Sequence, residues 1–412
     1  MANRNRRSLR LTVLGSIALL LLIVGPELMG SSRLPTTLVA PAQSGVCASV
    51  VSPYGYECQE YEATTKDGYI LSVQRIPAGR DGKSGDGGGG PVLLQHGVLV
   101  DGTTWLLNGP QQSLAFILAD AGFDVWISNL RGTTHSRRHV TLYANSDRKY
   151  WEWTWDDLVE QDLPTIVNLV FDTTGQKVHY IGHSMGTLIA LASLSEGKMV
   201  DMVKSATLLS PIAYLSHMAT AIAFFAANSF IGEIIGAFGF AEFNPKDKFV
   251  TEILRAKCFR APDGINCNDL MTIFTGKNCC LNNSNFELFL EYEPQPTSTK
   301  NLVHMAQTVR SRILAKYDYA LKNNEHYGQP RPPIYNLTNI PLDIPIFISY
   351  GGQDALSDVK DVQNLLDYLK SHNNFKMHVL YIKEYAHADF IMGITAKDLV
   401  YNKIVDFFTN LD

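Results

Sequence analysis

The sequence predicts an α/β fold built on a doubly wound, mostly parallel sheet that one long insertion interrupts. Short apolar runs of strand length alternate with stretches of helical length, an order typical of parallel strands joined by right-handed crossovers. The alternation stops at about residue 212 and resumes near residue 336, which indicates an inserted segment. The chain has 412 residues, of which 46% are hydrophobic and 18% charged, so it can bury a sizeable hydrophobic core.

The elements follow one another in a regular order. A turn at Lys66-Asp67-Gly68 separates two alternating runs and predicts an antiparallel hairpin over residues 61–77. We expect the core in two parts, residues 47–211 and 336–412, with residues 212–335 forming a cap or lid on the sheet. Further strands are predicted at 91–95, 124–128, 177–181, 206–209, 344–350 and 376–382, and helices at 111–121, 155–171, 187–195 and 396–408.

The first 30 residues have the pattern of a secretory signal peptide. A head with four arginines precedes an apolar run over residues 11–24, and small residues follow it. A membrane span needs about 20 apolar residues, so a signal anchor is the less favoured alternative. Residues 31–46, rich in Ser, Pro and Thr, are interpreted as a leader or linker. We expect the mature chain to be secreted, or to reside in a lysosomal or vacuolar lumen, without a transmembrane span.

The charge balance argues against a nucleic-acid partner. The chain carries 35 Lys and Arg against 40 Asp and Glu, a net charge of −5, whereas nucleic-acid binding requires a basic face.

The sharpest chemical signal is Gly182-His183-Ser184-Met185-Gly186, which lies between a predicted strand and a predicted helix. Strand, G-x-S-x-G and helix together are the context of a nucleophile elbow, in which a strained turn holds the serine hydroxyl clear of the backbone. The alternative is a glycine-rich turn whose serine caps a helix. His183 is not expected to act as the base, because neighbouring side chains on so tight a turn diverge.

A serine nucleophile needs a base and an acid that orients the base. In this strand order the acid follows a later strand, and Asp354, in the turn after 344–350, is predicted to be it, with Asp358 as the alternative. The base is predicted to be His387, in the loop after the last strand, because His372 lies in a polar turn and His378 lies inside the strand.

The reaction also needs donors for the oxyanion. The backbone N–H groups of Met185 and of Val98 are the predicted donors, the second from the loop after an early strand. His96 either braces this loop or is simply a buried histidine bonded to backbone. No metal and no cofactor is expected.

Several blocks in order resemble the acid lipase family of α/β-hydrolases, which includes gastric lipase, lysosomal acid lipase and plant relatives. The matching residues are Tyr54-Gly55-Tyr56, Asp67-Gly68-Tyr69, His96-Gly97-Val98, Asn129-Leu130-Arg131-Gly132, Gly352-Gln353-Asp354 and His387-Ala388-Asp389-Phe390, together with the elbow. The resemblance implies an α/β-hydrolase fold with a cap and a mobile lid, and a hydrolase of neutral-lipid esters that works at an oil–water or membrane interface. Met185 departs from the glutamine of animal members.

Six cysteines and two sequons fit a lumenal protein. The cysteines allow 15 pairings, with Cys47–Cys58 and Cys258–Cys267 as the local options and a zinc site as the competing one. The resemblance supports the second pair, which matches the disulfide in the family's cap. Asn282 and Asn336 begin N-x-[ST] sequons and are predicted glycosylation sites.

We therefore expect a Ser–His–Asp lipase that passes through an acyl-enzyme. Three alternatives stay open on the sequence. These are a carboxylesterase or thioesterase that uses the same triad, an acyltransferase in which an alcohol replaces water, and a catalytically inactive lipid-binding protein.

Overall fold

The computed structural model describes residues 45–82, 89–220, 227–245, 271–272, 274–282, 285–372 and 376–411. Every helix and strand named below belongs to one compact unit, formed by Ser44–Asn244 and Asn266–Asp412. The predicted signal peptide, nearly all of the predicted leader, and the cysteines Cys258 and Cys267 lie outside the described residues.

The large sheet is mixed, with its antiparallel strands at one edge. Its strands run in the order β1-β2-β4-β3-β6-β7-β10-β11, and β5 pairs with β2. All pairs from β4 to β11 along this order are parallel, whereas β2 is antiparallel to β1, β4 and β5. The strands are β1 (Gln59–Thr64), β2 (Tyr69–Ile76), β3 (Pro91–Gln95), β4 (Asp124–Ser128), β5 (Arg138–His139), β6 (Val178–His183), β7 (Val203–Leu209), β8 (Glu242–Phe243), β9 (Thr297–Ser298), β10 (Ile346–Gly351) and β11 (Met377–Ile382).

Helices cover the sheet between these strands. Helices are present in the regions predicted at 155–171 and 187–195, and the helix Met185–Ser195 is buried along its whole length. The longest helix of the described residues, Thr299–Ser311, was not predicted from the sequence. The helices are α1 (Leu114–Asp120), α2 (Trp155–Asp157), α3 (Leu163–Thr174), α4 (Met185–Ser195), α5 (Ile231–Ala237), α6 (Phe286–Tyr292), α7 (Thr299–Ser311), α8 (Asn323–Tyr327), α9 (Val359–Tyr368), α10 (Asp389–Met392) and α11 (Asn402–Thr409).

The predicted fold class is confirmed. Strands β3, β4, β6 and β10 are buried at every residue, as expected for a parallel sheet covered on both faces. In the described residues between β7 and β10, β8 and β9 pair only with each other, so this stretch adds no strand to the large sheet. Its role as a cap stays a prediction. Across the described ranges, no helix is long and apolar enough to cross a bilayer.

One ion network, with a buried arginine at its centre, ties the antiparallel edge to the parallel strands. Arg131, which follows β4 and is 1% exposed, donates from Nε to Asp162 Oδ1 at 2.7 Å. Its Nη1 and Nη2 atoms donate to the two carboxylate oxygens of Asp67, in the β1–β2 turn, at 2.6 and 3.0 Å. The residues that resemble family blocks at 67–69 and 129–132 are therefore joined by a bidentate charge pair.

Replacing the cation of this network is expected to destabilise the fold strongly. In Arg131→Met the fully buried Asp162 carboxylate loses its counter-charge, so the free energy of unfolding should fall by about 3–5 kcal/mol. Urea denaturation followed by tryptophan fluorescence measures it. The matched control is Arg148→Met, which breaks an exposed pair with Glu152 and should cost about 0.5 kcal/mol or less. Equal losses in the two variants would contradict this role of Arg131.

Candidate active site

Ser184 lies on a tight turn between β6 and α4. Its backbone has φ 55° and ψ −121°, a left-handed conformation that is strained in a residue with a side chain. The sheet holds it there, since the Ser184 N–H donates to the Leu209 carbonyl on β7 at 3.1 Å. The strand–turn–helix context predicted for Ser184 is therefore present.

The two glycines of the motif are required by close backbone packing. A Cβ at Gly186 would lie 2.5 Å from the Gln95 carbonyl oxygen at the end of β3. A Cβ at Gly182 would lie 2.7 Å from the backbone carbon of Gly186 itself. Because these neighbours are backbone atoms, no side-chain rotation can relieve either clash.

Asp354 lies in the turn after β10, where the sequence places the acid. Its Oδ1 accepts backbone N–H groups from Leu356 and Ser357 at 2.9 and 2.8 Å. Burial alone would raise the pKa of Asp354, but the charge and hydrogen bond of His387, with the two N–H donors, hold it below the ordinary value. The side chain of Asp358, the alternative acid, instead caps the N-terminus of α9 by accepting the Lys360 N–H.

His387 meets Asp354 directly. The Nδ1 atom of His387 lies 2.9 Å from Oδ2 and 3.1 Å from Oδ1 of Asp354. Its Nε2 atom is buried and makes no hydrogen bond within the described residues. Its ring centre lies 4.7 Å from that of His183, the residue before Ser184. The structure thus brings the predicted base and acid together beside the turn that carries the predicted nucleophile.

His183 holds the backbone of the predicted base. Its Nε2–H donates to the His387 carbonyl at 3.0 Å, which links the nucleophile turn to the histidine loop. Burial, and secondly repulsion from His387, lower the pKa of His183 to about 3, so the ring stays neutral. Sequence reasoning excluded His183 as a base but missed this role, because no sequence pattern indicates a bond to a carbonyl 204 residues later.

The loop that carries Val98 passes beside Ser184. A Cβ at Gly97 would lie 2.9 Å from the Cβ of Ser184. His96 braces this loop, since its Nδ1–H donates to the Gly97 carbonyl at 2.8 Å and its Nε2 accepts the Leu130 N–H at 3.0 Å. His96 is therefore both a buried histidine bonded to backbone groups and a brace for the loop, since one of its two partners belongs to that loop. Met185 is the first residue of α4, so its N–H has no acceptor within the helix.

Comparisons with known proteins identify the family of the chain. A family model described as "alpha/beta hydrolase fold" matches residues 90–391, and one described as "Partial alpha/beta-hydrolase lipase region" matches residues 47–109. Triacylglycerol lipase 2 of Arabidopsis thaliana is 56% identical, over 89% of this chain and 88% of that protein. Gastric triacylglycerol lipase of Homo sapiens is 36% identical, over 88% of this chain and 90% of that protein. The chain belongs to the acid lipase family of α/β-hydrolases.

Solved structures support the fold of this acid lipase family member. A soluble variant of monoglyceride lipase from Saccharomyces cerevisiae matches with a TM-score of 0.53 at 16% identity, covering 90% of this chain and 99% of that one. A carboxyl esterase from Bacillus coagulans matches with a TM-score of 0.54 at 15% identity, covering 86% and 98%.

Two disulfides lie in the described part of the lipase. Cys47–Cys58, one of the two local options, is formed. Cys279 and Cys280, adjacent in sequence, are joined to each other. Among the described residues, the set with metal-ligand spacing is Cys279, Cys280 and Asp389, and the disulfide occupies its two sulfurs. Asn336 is exposed and Asn282 half-buried, and their glycosylation stays a prediction.

A methyl group at Gly186 should disturb the site more than the fold. Gly186→Ala must push α4 away from the Gln95 carbonyl, at about 1–3 kcal/mol of stability. Because a 1 Å misplacement can cost about a hundredfold in rate, we expect kcat/KM on a soluble ester to fall at least tenfold. Gly90→Ala is the control, since its Cβ would make ordinary van der Waals contact with two side chains, Gln176 at 3.5 Å and His179 at 3.9 Å. Wild-type kcat/KM in Gly186→Ala would contradict the steric argument.

The low pKa of Asp354 predicts a pH-dependent share of stability. A carboxyl whose pKa is lower in the folded than in the unfolded state stabilises the fold fully at pH values above its unfolded-state pKa. This stabilisation is lost as the pH falls through the folded-state pKa. The difference in unfolding free energy between wild type and Asp354→Asn should therefore be largest above about pH 4 and shrink on further acidification. Urea denaturation from pH 6 to pH 2 measures it, and a difference that grows toward low pH would show that Asp354 is not held as a carboxylate.

Proposed function

We propose that the chain is a lipase of the secretory pathway that hydrolyses carboxylic esters of neutral lipids, with triacylglycerols as its main substrates. One observation carries the proposal. The strained Ser184 turn is joined through the His183 ring to the loop of His387, and His387 is bonded to a buried carboxylate. This is the order nucleophile, base, acid that acyl transfer requires.

In the proposed mechanism Ser184 Oγ attacks the ester carbonyl carbon while His387 Nε2 takes up the hydroxyl proton. The backbone N–H groups of Met185 and Val98 bind the oxyanion that forms. The tetrahedral intermediate expels the alcohol, which receives the proton from His387, and leaves an acyl group on Ser184. A water molecule, deprotonated by His387, attacks this acyl-enzyme. The bond to Ser184 Oγ then breaks, the oxygen receives the proton from His387, and the fatty acid is released.

Asp354 makes the histidine chemistry feasible. When His387 takes the serine proton it becomes an imidazolium in a buried site, where an isolated charge is unfavourable. Asp354 accepts the Nδ1–H of this ring, and its lowered pKa keeps it ionised throughout the cycle.

The relatives' names and the surface of the inserted segment favour a lipid substrate. The two relatives compared above are named triacylglycerol lipases. The cavity beside Gly97 and Met185 has a volume of about 10 Å³, room for one water and not for an acyl chain. Phe230, Ile234 and Phe238 are 52%, 51% and 79% exposed in the predicted cap, and we propose that they contact the lipid surface.

The secretory route is supported by the cysteines as well as by the first 30 residues. Disulfides persist in oxidising compartments and are rare in the cytosol, and two are formed in the described residues.

Removing the nucleophile tests the mechanism. Ser184→Ala should lower the hydrolysis of p-nitrophenyl butyrate by about three orders of magnitude or more, because no acyl-enzyme can form. The control is Ser195→Ala, whose hydroxyl bonds the Ala192 carbonyl on the same helix and whose loss should leave kcat/KM unchanged. Circular dichroism checks that both variants fold. Substantial residual hydrolysis by Ser184→Ala would overturn the assignment.

The substrate class needs its own measurement. We expect the wild-type enzyme to hydrolyse triolein emulsions, with a rate that rises sharply once the ester exceeds its solubility limit. Cholesteryl oleate tests sterol esters, and product analysis with added alcohol tests acyl transfer. A preference for dissolved esters with no rise at the interface would instead favour a carboxylesterase.

A further inference from the structure

We propose that the Cys279–Cys280 disulfide is a thiol-exchange site through which a dithiol reductant changes the placement of His387 and so the rate of hydrolysis. The inference rests on the proposed function, because it concerns the same histidine. No sequence observation assigned a role to this pair. Its position in the structure provides one.

The two cysteines bind the carboxylate that closes the histidine loop. The backbone N–H groups of Cys279 and Cys280 donate to Oδ2 and Oδ1 of Asp389, both at 3.1 Å. The Ala386 N–H donates to Oδ2 of the same carboxylate at 2.8 Å. Asp389 is fully buried, so these three donors replace the water that an exposed carboxylate would bind. His387 lies inside this short loop, between Ala386 and Asp389.

The same segment also binds the backbone of the histidine loop directly. The His387 N–H donates to the Thr275 carbonyl at 3.1 Å, and the Ala388 N–H donates to Asn278 Oδ1 at 3.2 Å. Beyond the loop, the Ile394 N–H donates to the Cys280 carbonyl at 2.8 Å. Residues 275–280, which include the cysteine pair, therefore hold the backbone around the base from several sides.

A disulfide between adjacent residues restricts the local backbone torsions more than a disulfide between residues far apart in the sequence does. The bond closes an eight-membered ring that contains the peptide group between the two cysteines, so it limits how the two N–H groups can point. In the oxidised state both N–H groups point at Asp389. Reduction opens the ring and restores the torsional freedom of both residues.

Loss of the two cysteine N–H donors would change the protonation or the position of the Asp389 carboxylate. Burial raises the pKa of Asp389, and the N–H groups of Ala386, Cys279 and Cys280 oppose that rise. With two of the three donors no longer held in place, the buried carboxylate either takes up a proton or moves toward water. Either response changes the loop that carries His387.

The pair is accessible to a reductant. Cys279 is exposed and Cys280 half-buried, whereas in the other described disulfide Cys47 is buried and Cys58 half-buried. Exposed disulfides are the more readily exchanged ones. One thiolate of the reductant attacks Sγ of Cys279, forms a mixed disulfide and releases the Cys280 thiolate. The second thiolate of the reductant then displaces Cys279, so two electrons pass to the cysteines and the reductant becomes a cyclic disulfide. The two cysteine thiolates take up protons, and an oxidant that accepts two electrons reverses the step.

The test is a titration of the full-length enzyme with dithiothreitol. Each sample is assayed on p-nitrophenyl butyrate for kcat and KM, then alkylated with iodoacetamide and mapped by mass spectrometry. We expect kcat to fall by roughly threefold to tenfold with little change in KM, because the misplaced group is the base and not a binding residue. The fall should follow alkylation of Cys279 and Cys280, and removal of the reductant with reoxidation should restore kcat.

Two double variants separate this pair from the other cysteines. Cys279→Ala with Cys280→Ala should have the kcat of the reduced wild type and should not respond to dithiothreitol. Cys47→Ala with Cys58→Ala should keep the response. A wild-type enzyme with both cysteines alkylated and kcat unchanged would overturn the inference, and so would a full response in the Cys279/Cys280 double variant. If the oxidised wild type neither hydrolyses the ester nor reacts with a serine-directed phosphonate, the proposed function fails instead.

Discussion

The site depends on how closely three backbone segments pass one another at the end of β6. The turn at Ser184, the start of α4 and the end of β3 approach so nearly that Gly182 and Gly186 have no room for a Cβ. The positive φ of Ser184 costs about 1–3 kcal/mol of folding free energy, and contacts with the surrounding sheet must offset this cost. The bond from the Ser184 N–H to β7 is one such constraint. The same close approach brings the Val98 loop beside the serine, so the positions of the proposed nucleophile and of the proposed oxyanion loop are not independent.

Parallel strands then explain why residues far apart in sequence meet here. The carboxyl ends of β3, β6 and β10 lie at one edge of the sheet. The segments that follow these three strands contain Val98, Ser184 and Asp354, respectively. His387 follows β11, next to β10. At the same edge, Arg131, which follows β4, joins the antiparallel hairpin to the chain that leads into α3. The sheet thus positions the candidate triad, and buried polar contacts fix its loops.

Sequence patterns predicted the parts of this site that follow from local chemistry. The strand before Ser184, the glycines on either side of it and the order of Asp354 and His387 can each be read from a short segment and a strand count. The structure brings His387 and Asp354 together as that order requires. The fold class followed from alternating strands and helices, and the comparisons confirm it.

Contacts between distant segments could not be predicted in this way. The bond from His183 to the His387 carbonyl and the network of Arg131 with Asp67 and Asp162 join residues that share no local pattern. The pairing of Cys279 with Cys280 and its contact with Asp389 depend on how the inserted segment packs. Burial decides the electrostatics in each case, and a sequence alone does not report which polar groups are enclosed.

The most direct test of the central claim is a crystal structure of the enzyme after reaction with an alkyl phosphonate, which mimics the tetrahedral intermediate. We expect phosphorus bonded to Ser184 Oγ and the phosphonyl oxygen about 2.7–3.1 Å from the backbone nitrogens of Met185 and Val98, with His387 Nε2 facing Oγ. Phosphorus on another residue, or a phosphonyl oxygen that faces neither N–H group, would contradict it.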